Sequence, residues 1–494
     1  MSGKISKKRL EVYYDNECAV CSRFVNSVQQ SQHVTCNPLQ KSSAHGLSQT
    51  FHVITEDGTV YTNFDAVLQL GERDPFWKIF MPIARLPVFY TIFSFAYKFF
   101  AKHRYRISKI FTRFTLLKII LILTMISTFL FSPKFWVASR LYPLLPMLPF
   151  LPTLHFPFDY GLFFLLLSLL VLCLIKIHNR IYFCLFTIFM GFCILLDQSR
   201  LQPYIYQYFL MFLAIALYPW HKKNTNYQTI IVNTCCIIIA CTYFYSGMQK
   251  INSTFVFSIS PWMMEPVLRF IPKELSLLCN ALGIISPIIE MFIGIGLVFK
   301  QFRNLAIFSA LCMHGFILFS IGPLGHNWNS IVWPWNIAMC LFVIILFWRN
   351  RSFTIAPLVS SKAIPSLLIL SIYGFLPLLS FFNLWDSYLS STNYSGNTKT
   401  AQLAIKNTAF AYLDPELKQY ISQKNNDYSI INIQDWSVNE MNVLDYPETR
   451  IFQAIAKSLC RQTHNPSDII LSVYEKPDWI TARSVTNTYT CNNL

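Results

Sequence analysis

The stretch Tyr13–Gln30, YYDNECAVCSRFVNSVQQ, sets two cysteines, Cys18 and Cys21, between an apolar, strand-like stretch (Val12, Tyr13, Tyr14) and a helix-like run. A strand, a C-x-x-C and a helix in that order point to a dithiol redox site. The reason is electrostatic. A helix N-terminus carries partial positive charge and unpaired N–H groups, which stabilise a thiolate on the first cysteine. Cys18 is therefore the expected nucleophile and Cys21 the resolving thiol. A lone C-x-x-C can also be half of a zinc site. Cys36 is the only other thiol between residues 9 and 110, and no paired C-x-x-C or H-x-x-H accompanies it.

Around this pair the sequence predicts a small α/β unit, thioredoxin-like in its order of elements. Leu10–Tyr14 reads as a strand leading into the cysteines, and a second strand around Val34–Cys36 runs into NPLQ. A third and a fourth strand in FHVITEDGTVYT meet at the Asp57-Gly58 turn. The opening MSGKISKKRLEV has no apolar core and no cleavage site, so no secretory signal is expected there.

The rest of the chain is apolar. Its 494 residues are 54% hydrophobic, 16% aromatic and only 13% charged, and the mean hydropathy is +0.40. That is too apolar for a soluble chain of this length. The net charge of +16 comes from basic residues scattered among loops between apolar runs. With no RNA- or DNA-binding motif, it reads as membrane-anchoring charge and no nucleic-acid partner is expected. Runs long enough to cross a bilayer fall at about 115–132, 160–176, 180–196, 205–220, 228–247, 275–299, 304–322, 331–348 and 363–383, roughly nine helices.

Orientation follows from lysine and arginine in the short loops. Lys98, Lys102, Arg104, Arg106, Lys109 and Arg113 precede the first run, and Lys176/Arg180, Lys222/Lys223, Lys300/Arg303 and Arg349/Arg351/Lys362 fall on the same side. The other side carries Lys134/Arg140, Arg200 and Lys250/Arg269/Lys273, then none in PLGHNWNS. The expectation is a multi-pass cell-membrane protein with a cytoplasmic N-terminus and an extracytoplasmic C-terminus. The predicted domains are a redox unit at 1–112, an all-α polytopic membrane bundle at 113–384 and a small α+β extracytoplasmic tail at 385–494.

Polar groups at bilayer depth are costly and are functional candidates by default. Glu290 in SPIIEMFIGIG and His314 in LCMHGFILFSIG are the deepest. Lys250 closes YFYSGMQK, and Asp197 and Arg200 sit in LLDQSRLQPYIYQY. Each has a structural alternative. Asp197 and Arg200 could close a helix end as a salt bridge, Glu290 could bond a neighbouring helix, and His314 could be a satisfied core histidine. Trp328, Trp333 and Trp335 are either a ligand cage or an interfacial belt. Glu290, Arg200, Asp197 and Trp333 are the candidate ligand contacts.

Four blocks in order, YYDNECAVCSRF, NPLQ, EDGTVYTNFDAVL and FAYKFFAKHRYRISK, make residues 9–112 resemble the DCC-type thiol–disulfide oxidoreductase domain. The family's aspartate and two cysteines match Asp15, Cys18 and Cys21. The resemblance implies thiol–disulfide exchange, with a protein dithiol in the cytoplasm as partner. Asp15 is either a proton acceptor for the buried thiol or the cap of the following helix.

TYFYSGMQKI and HGFILFSIG resemble blocks of the horizontally transferred transmembrane domain, the membrane core of vitamin K-dependent gamma-carboxylase, over about 115–350. That resemblance implies a quinone or hydroquinone partner, with Lys250 as the base that deprotonates it and His314 beside it. Pro203 and Tyr204 stand where carboxylases place an Asn-His pair, and the long lumenal region is lacking. Redox work on a lipid-soluble molecule is thus favoured over glutamate carboxylation. A transporter or assembly scaffold with a regulatory thiol domain is the non-enzymatic alternative. In the tail, DYPETRIFQAIAKSLC reads as an amphipathic helix ending at Cys460, which could pair with Cys491 in an oxidising compartment. The cysteines from Cys173 to Cys340 read as small apolar residues within helices.

Overall fold

The computed structural model describes residues 10–14, 21, 25, 34–38, 51–72, 78, 80–110, 112–220, 226–350 and 353–494. The chain divides into two compact units, Met1–Leu116 and Leu117–Leu494.

The first unit is built on a four-stranded sheet of order β2-β1-β3-β4. Its strands are β1 (Leu10–Tyr14), β2 (Val34–Pro38), β3 (His52–Thr55) and β4 (Val60–Thr62). β1 runs parallel to β2 and antiparallel to β3, and β3 pairs antiparallel with β4. Alternation in β1 sends Leu10 and Val12 inward and leaves Glu11 exposed, as a half-buried strand requires. The predicted hairpin forms where Gly58 takes a positive φ of 82°, a conformation a side chain would disfavour. Asp57 ties the turn by accepting from the Thr59 N–H at 3.2 Å and from the Thr55 hydroxyl. Helix α1 (Asn63–Gly71) follows. Its Ala66 and Leu70 close a core with Leu10, Val12, Val25, Phe51 and Val53. A long helix, α2 (Pro87–Ile110), ends the unit.

The second unit is mostly helical and carries a C-terminal sheet. Among the described residues, seven helical segments are long and apolar enough to cross a membrane. They are α3 (Arg113–Phe131), α4 (Phe158–Ile175), α7 (Tyr227–Gln249), α9 (Glu274–Val298), α10 (Arg303–Ile321), α11 (Ser330–Phe347) and α12 (Ile364–Phe382). The other two expected spans are helical but shorter, α5 (Arg180–Leu196) and α6 (Pro203–Leu217). At about 1.5 Å per residue, the 15 residues of α6 reach about 22 Å, short of a hydrocarbon core of about 30 Å. α6 is also buried around most of its circumference. A further short helix, α8 (Ser260–Leu268), precedes α9.

Helix α7 is the most enclosed of the spans, with α6, α9, α11 and α12 packed about it. Its closest approach is to α9. A Cβ on Gly247 would stand 2.5 Å from the Pro287 carbonyl oxygen, and one on Gly294 would stand 2.6 Å from the Ala240 carbonyl oxygen. Neither fits, so the two glycines let the backbones touch, the packing that small residues permit between membrane helices. Outward-facing Phe164, Ile188, Leu277 and Phe308 are exposed, as lipid-facing positions would be.

Five antiparallel strands, β5 (Thr400–Lys406), β6 (Ile421–Lys424), β7 (Tyr428–Asn432), β8 (Ile469–Tyr474) and β9 (Thr486–Thr490), form the C-terminal sheet in the order β6-β7-β5-β8-β9. The amphipathic helix expected to end at Cys460 is α14 (Thr449–Cys460), which buries Ile451, Phe452, Ile455 and Leu459. Cys460 and Cys491 are joined by a disulfide. This segment packs into the helical body. The Glu440 carboxylate, on helix α13 (Ile433–Met441), accepts from the backbone N–H groups of Leu141 at 2.5 Å and Tyr142 at 2.9 Å. The Gln202 amide donates to the Leu444 carbonyl at 2.9 Å.

Candidate functional site

Asp15 and Cys18 lie outside the described residues. Cys21 is helical and half-buried, and Val25, one turn further on, is fully buried in the core of the sheet. Val25 thus shares one core with Leu10 and Val12 of β1. Cys36 sits on β2 opposite Val12. Burial pushes its thiol pKa up, which disfavours the thiolate, so Cys36 is poorly suited to act as the nucleophile.

In the second unit Glu290, one of the two deepest candidates, meets Lys250, a pairing the sequence did not suggest. Lys250 Nζ lies 2.5 Å from Glu290 Oε2 and 2.8 Å from Ser246 Oγ, and both charged side chains are buried. Tyr243, Ser246, Gly247 and Lys250 fall at i, i+3, i+4 and i+7, so one stripe of α7, continued by its C-cap Lys250, carries all four. Gly247 brings that stripe against Pro287 and Met291 of α9, and Glu290 is the side chain that meets Lys250 there.

The same stripe reaches His314 on α10. Tyr243 Oη is 2.7 Å from His314 Nε2, and His314 Nδ1 is 2.8 Å from Asn336 Oδ1. The Asn336 amide nitrogen donates to the Val332 carbonyl at 2.9 Å, which turns its oxygen toward the histidine. A neutral imidazole with the proton on Nδ1 satisfies both partners, donating to Asn336 and accepting from Tyr243. Glu290 lies within electrostatic reach of both His314 and Tyr243. Lys250, Glu290 and Ser246 with Tyr243, His314 and Asn336 thus form two hydrogen-bonded groups on adjoining faces of four helices, α7, α9, α10 and α11.

Beyond Lys250 the C-terminal segment covers the end of α7. The Asn397 amide donates to Gln249 Oε1 at 2.6 Å, and Gln249 Nε2 donates to Ser380 Oγ at 2.7 Å. Asn252 donates to the Ser395 carbonyl at 2.9 Å.

Asp197, Arg200 and Trp333 belong to other networks. Arg140 Nη2 is 2.5 Å from Asp197 Oδ2, with both side chains buried, whereas Arg200 Nε stands 3.8 Å from that oxygen. The main partner of Asp197 is therefore Arg140, from a loop some 57 residues earlier. Asp197 also caps the turn that follows α5, accepting from Ser199 N at 3.1 Å and Ser199 Oγ at 2.6 Å. Arg200 donates to the Cys193 and Trp136 carbonyls. Trp333 Nε1 donates to the Ile321 carbonyl at 3.1 Å, fastening the loop between α10 and α11. These bonds are those of structural closure.

Sequence reasoning missed Tyr243, Ser246 and Asn336. For the first two a signal existed, since both share a helix face with Lys250. Asn336 carried none, because its partner is 22 residues away on another helix.

Residues 12–110 match the family model described as DCC1-like thiol-disulfide oxidoreductase. The match ends before the first membrane-capable helix. No curated protein and no solved structure matches the chain.

Proposed function

We propose that this chain is a membrane-embedded protein whose N-terminal unit exchanges thiols with disulfides. The observation that carries the reading is the match of residues 12–110 to a thiol–disulfide oxidoreductase family, over the segment where Cys21 lies in a helix behind the central strand. The Cys18 thiolate attacks one sulfur of a substrate disulfide, forming a mixed disulfide and releasing the other sulfur as a thiolate. The Cys21 thiolate then attacks the Cys18 sulfur and frees the second substrate thiol. The substrate gains two electrons, and the enzyme is left with a Cys18–Cys21 disulfide that a dithiol protein reduces by the reverse steps.

Replacing the resolving thiol tests this. Cys21→Ser should accumulate a mixed disulfide that thiol reductants cleave, and adding Cys18→Ser should abolish it. Stoichiometric zinc in the purified chain, or no adduct in Cys21→Ser, would reject the proposal.

The lysine and arginine asymmetry of the loops supports a cytoplasmic thiol unit and an extracytoplasmic tail. The Cys460–Cys491 disulfide is consistent with this, since disulfides persist in oxidising compartments. Nine transmembrane passages, with α5 and α6 as short ones, fit that orientation.

A second reading concerns the helical body, where Lys250 would remove a proton from a reduced quinone or another lipid-soluble acid, as the carboxylase-like blocks imply. It is favoured by the buried contact of Lys250 with Glu290. A lysine base must present a neutral amine, and Glu290 is placed to accept the proton it gives up. The arrangement suits proton handling in a dry site. A transporter or assembly scaffold would use the same pair only to hold α7 against α9, and the variants described in the Discussion separate these roles.

A further inference from the structure

Helix α2 has more apolar surface than its own unit covers. Tyr90, Ser94 and Tyr97, spaced i, i+4, i+7, form its inward face. Tyr90 packs edge-on to Phe64 and its hydroxyl donates to Asp65 at 2.9 Å. On the opposite side Val88, Ile92, Phe95 and Phe99 recur at i, i+4, i+7, i+11 and are 69%, 55%, 73% and 58% exposed. Phe89 and Phe93 lie on the flank between the two faces, Phe93 against Phe64, and Phe80, Ile83 and Leu86 just before the helix are exposed as well. Contiguous exposed apolar surface of this kind marks an interaction site. Lys98 and Lys102, one turn apart and exposed, border the stripe.

We propose that this face of α2 lies in the headgroup region of the bilayer, seating the thiol unit on the membrane surface. Three observations select a lipid surface as the occupant. The chain continues from Ile110 to Arg113, the first residue of a membrane-capable helix, so the end of α2 is held at the bilayer face. The stripe is rich in phenylalanine, with lysines on its flank, the composition of an in-plane interfacial helix. Basic residues in the sequence concentrate toward the membrane-proximal half, at Lys98, Lys102, Arg104, Arg106 and Lys109, matching the negative surface of a cytoplasmic leaflet. The consequence is that Cys18 and Cys21 are presented near the membrane, which favours substrates that are themselves membrane proteins or lie against the bilayer.

The proposal rests on the body being embedded in a bilayer, and the test separates the two. p-Benzoylphenylalanine is placed at Phe95, at Val88, at Thr59 in the exposed β3–β4 turn, and at Phe308 on the outer surface of α10, in full-length chain reconstituted in nanodiscs containing phosphatidylglycerol. Irradiation should give lipid adducts at positions 95, 88 and 308 and none at 59. Lys98→Gln with Lys102→Gln should lower the anionic share of the adduct at 95, by about fivefold for each lysine removed. Lipid adducts at 308 with only protein adducts, or none, at both 95 and 88 overturn the surface helix alone. Absence of lipid adducts at 308 overturns the embedding as well.

Discussion

Lys250, at the C-cap of α7, and Glu290 on α9 meet at 2.5 Å inside the helical body, and two glycines make the meeting possible. Gly247 and Gly294 sit where any side chain would collide with the facing backbone. The contact is thus a product of helix packing as much as of charge.

Because the pair is buried, removing one partner leaves an uncompensated charge. Lys250→Ala or Glu290→Gln alone should lower stability by about 3–5 kcal/mol, while the double change Lys250→Met/Glu290→Leu should recover most of it. Thermal unfolding in detergent reads this out. Lys250→Arg keeps the charge but cannot act as a neutral base. Normal insertion with lost turnover or phenotype in Lys250→Arg indicates a base, and unchanged function reduces the pair to a helix clamp.

Gly247→Ala should be more harmful than its size suggests. The added methyl would lie 2.5 Å from the Pro287 oxygen and 2.7 Å from Met291 N, and backbone cannot step aside as a flexible side chain can. An overpacking loss of about 1–3 kcal/mol is expected. Gly161→Ala, where nothing lies within 4 Å, serves as the control and should be close to neutral in the same melt.

Asp445 makes the C-terminal segment sensitive to pH. Burial pushes its carboxyl pKa up to about 7, well above the unfolded value of about 3.9. The folded state therefore binds more protons than the unfolded chain between those values, and stability falls as pH rises from about 4 to about 7. The full loss is about 4 kcal/mol, by about 1.36 kcal/mol per unit. Asp445→Asn should flatten the dependence and raise the melting temperature at pH 8 relative to the parent. A parent melting temperature that climbs steadily across that range in a manner Asp445→Asn does not alter would contradict this assignment.

The disulfide reports on sidedness. In intact cells a membrane-impermeant maleimide should label Cys460 and Cys491 only after an impermeant reductant, and should miss Cys18 throughout. Labelling of Cys18 with the tail spared would invert the orientation. In the purified chain, Cys460→Ser/Cys491→Ser should cost about 3–4 kcal/mol, the loop-closure value for a separation of 31 residues.

The sequence by itself determined what depends on near neighbours. β1 at Leu10–Tyr14, the Asp57-Gly58 hairpin and the helix ending at Cys460 could be read from alternation, turn chemistry and amphipathic spacing, because each is set within a few residues. The apolar runs located the helices, but as runs all nine looked long enough to span, and only the helix ends in the structure set those at 180–196 and 203–217 apart as shorter. The dithiol was legible as a motif, and the family match covers it. Only the tertiary structure decided which polar residues share a site. Lys250 and Glu290 are 40 positions apart and Asp197 and Arg140 are 57 apart, and no local pattern links them. Which charge meets which depends on where helix backbones approach closely, and here Gly247 and Gly294 select the α7–α9 contact. The nearby basic residue in the sequence, Arg200, stands 3.8 Å from Asp197, while Arg140, from a distant loop, stands 2.5 Å away. A buried carboxylate is held by whichever donor the packing brings within hydrogen-bond range, not by the one nearest along the chain.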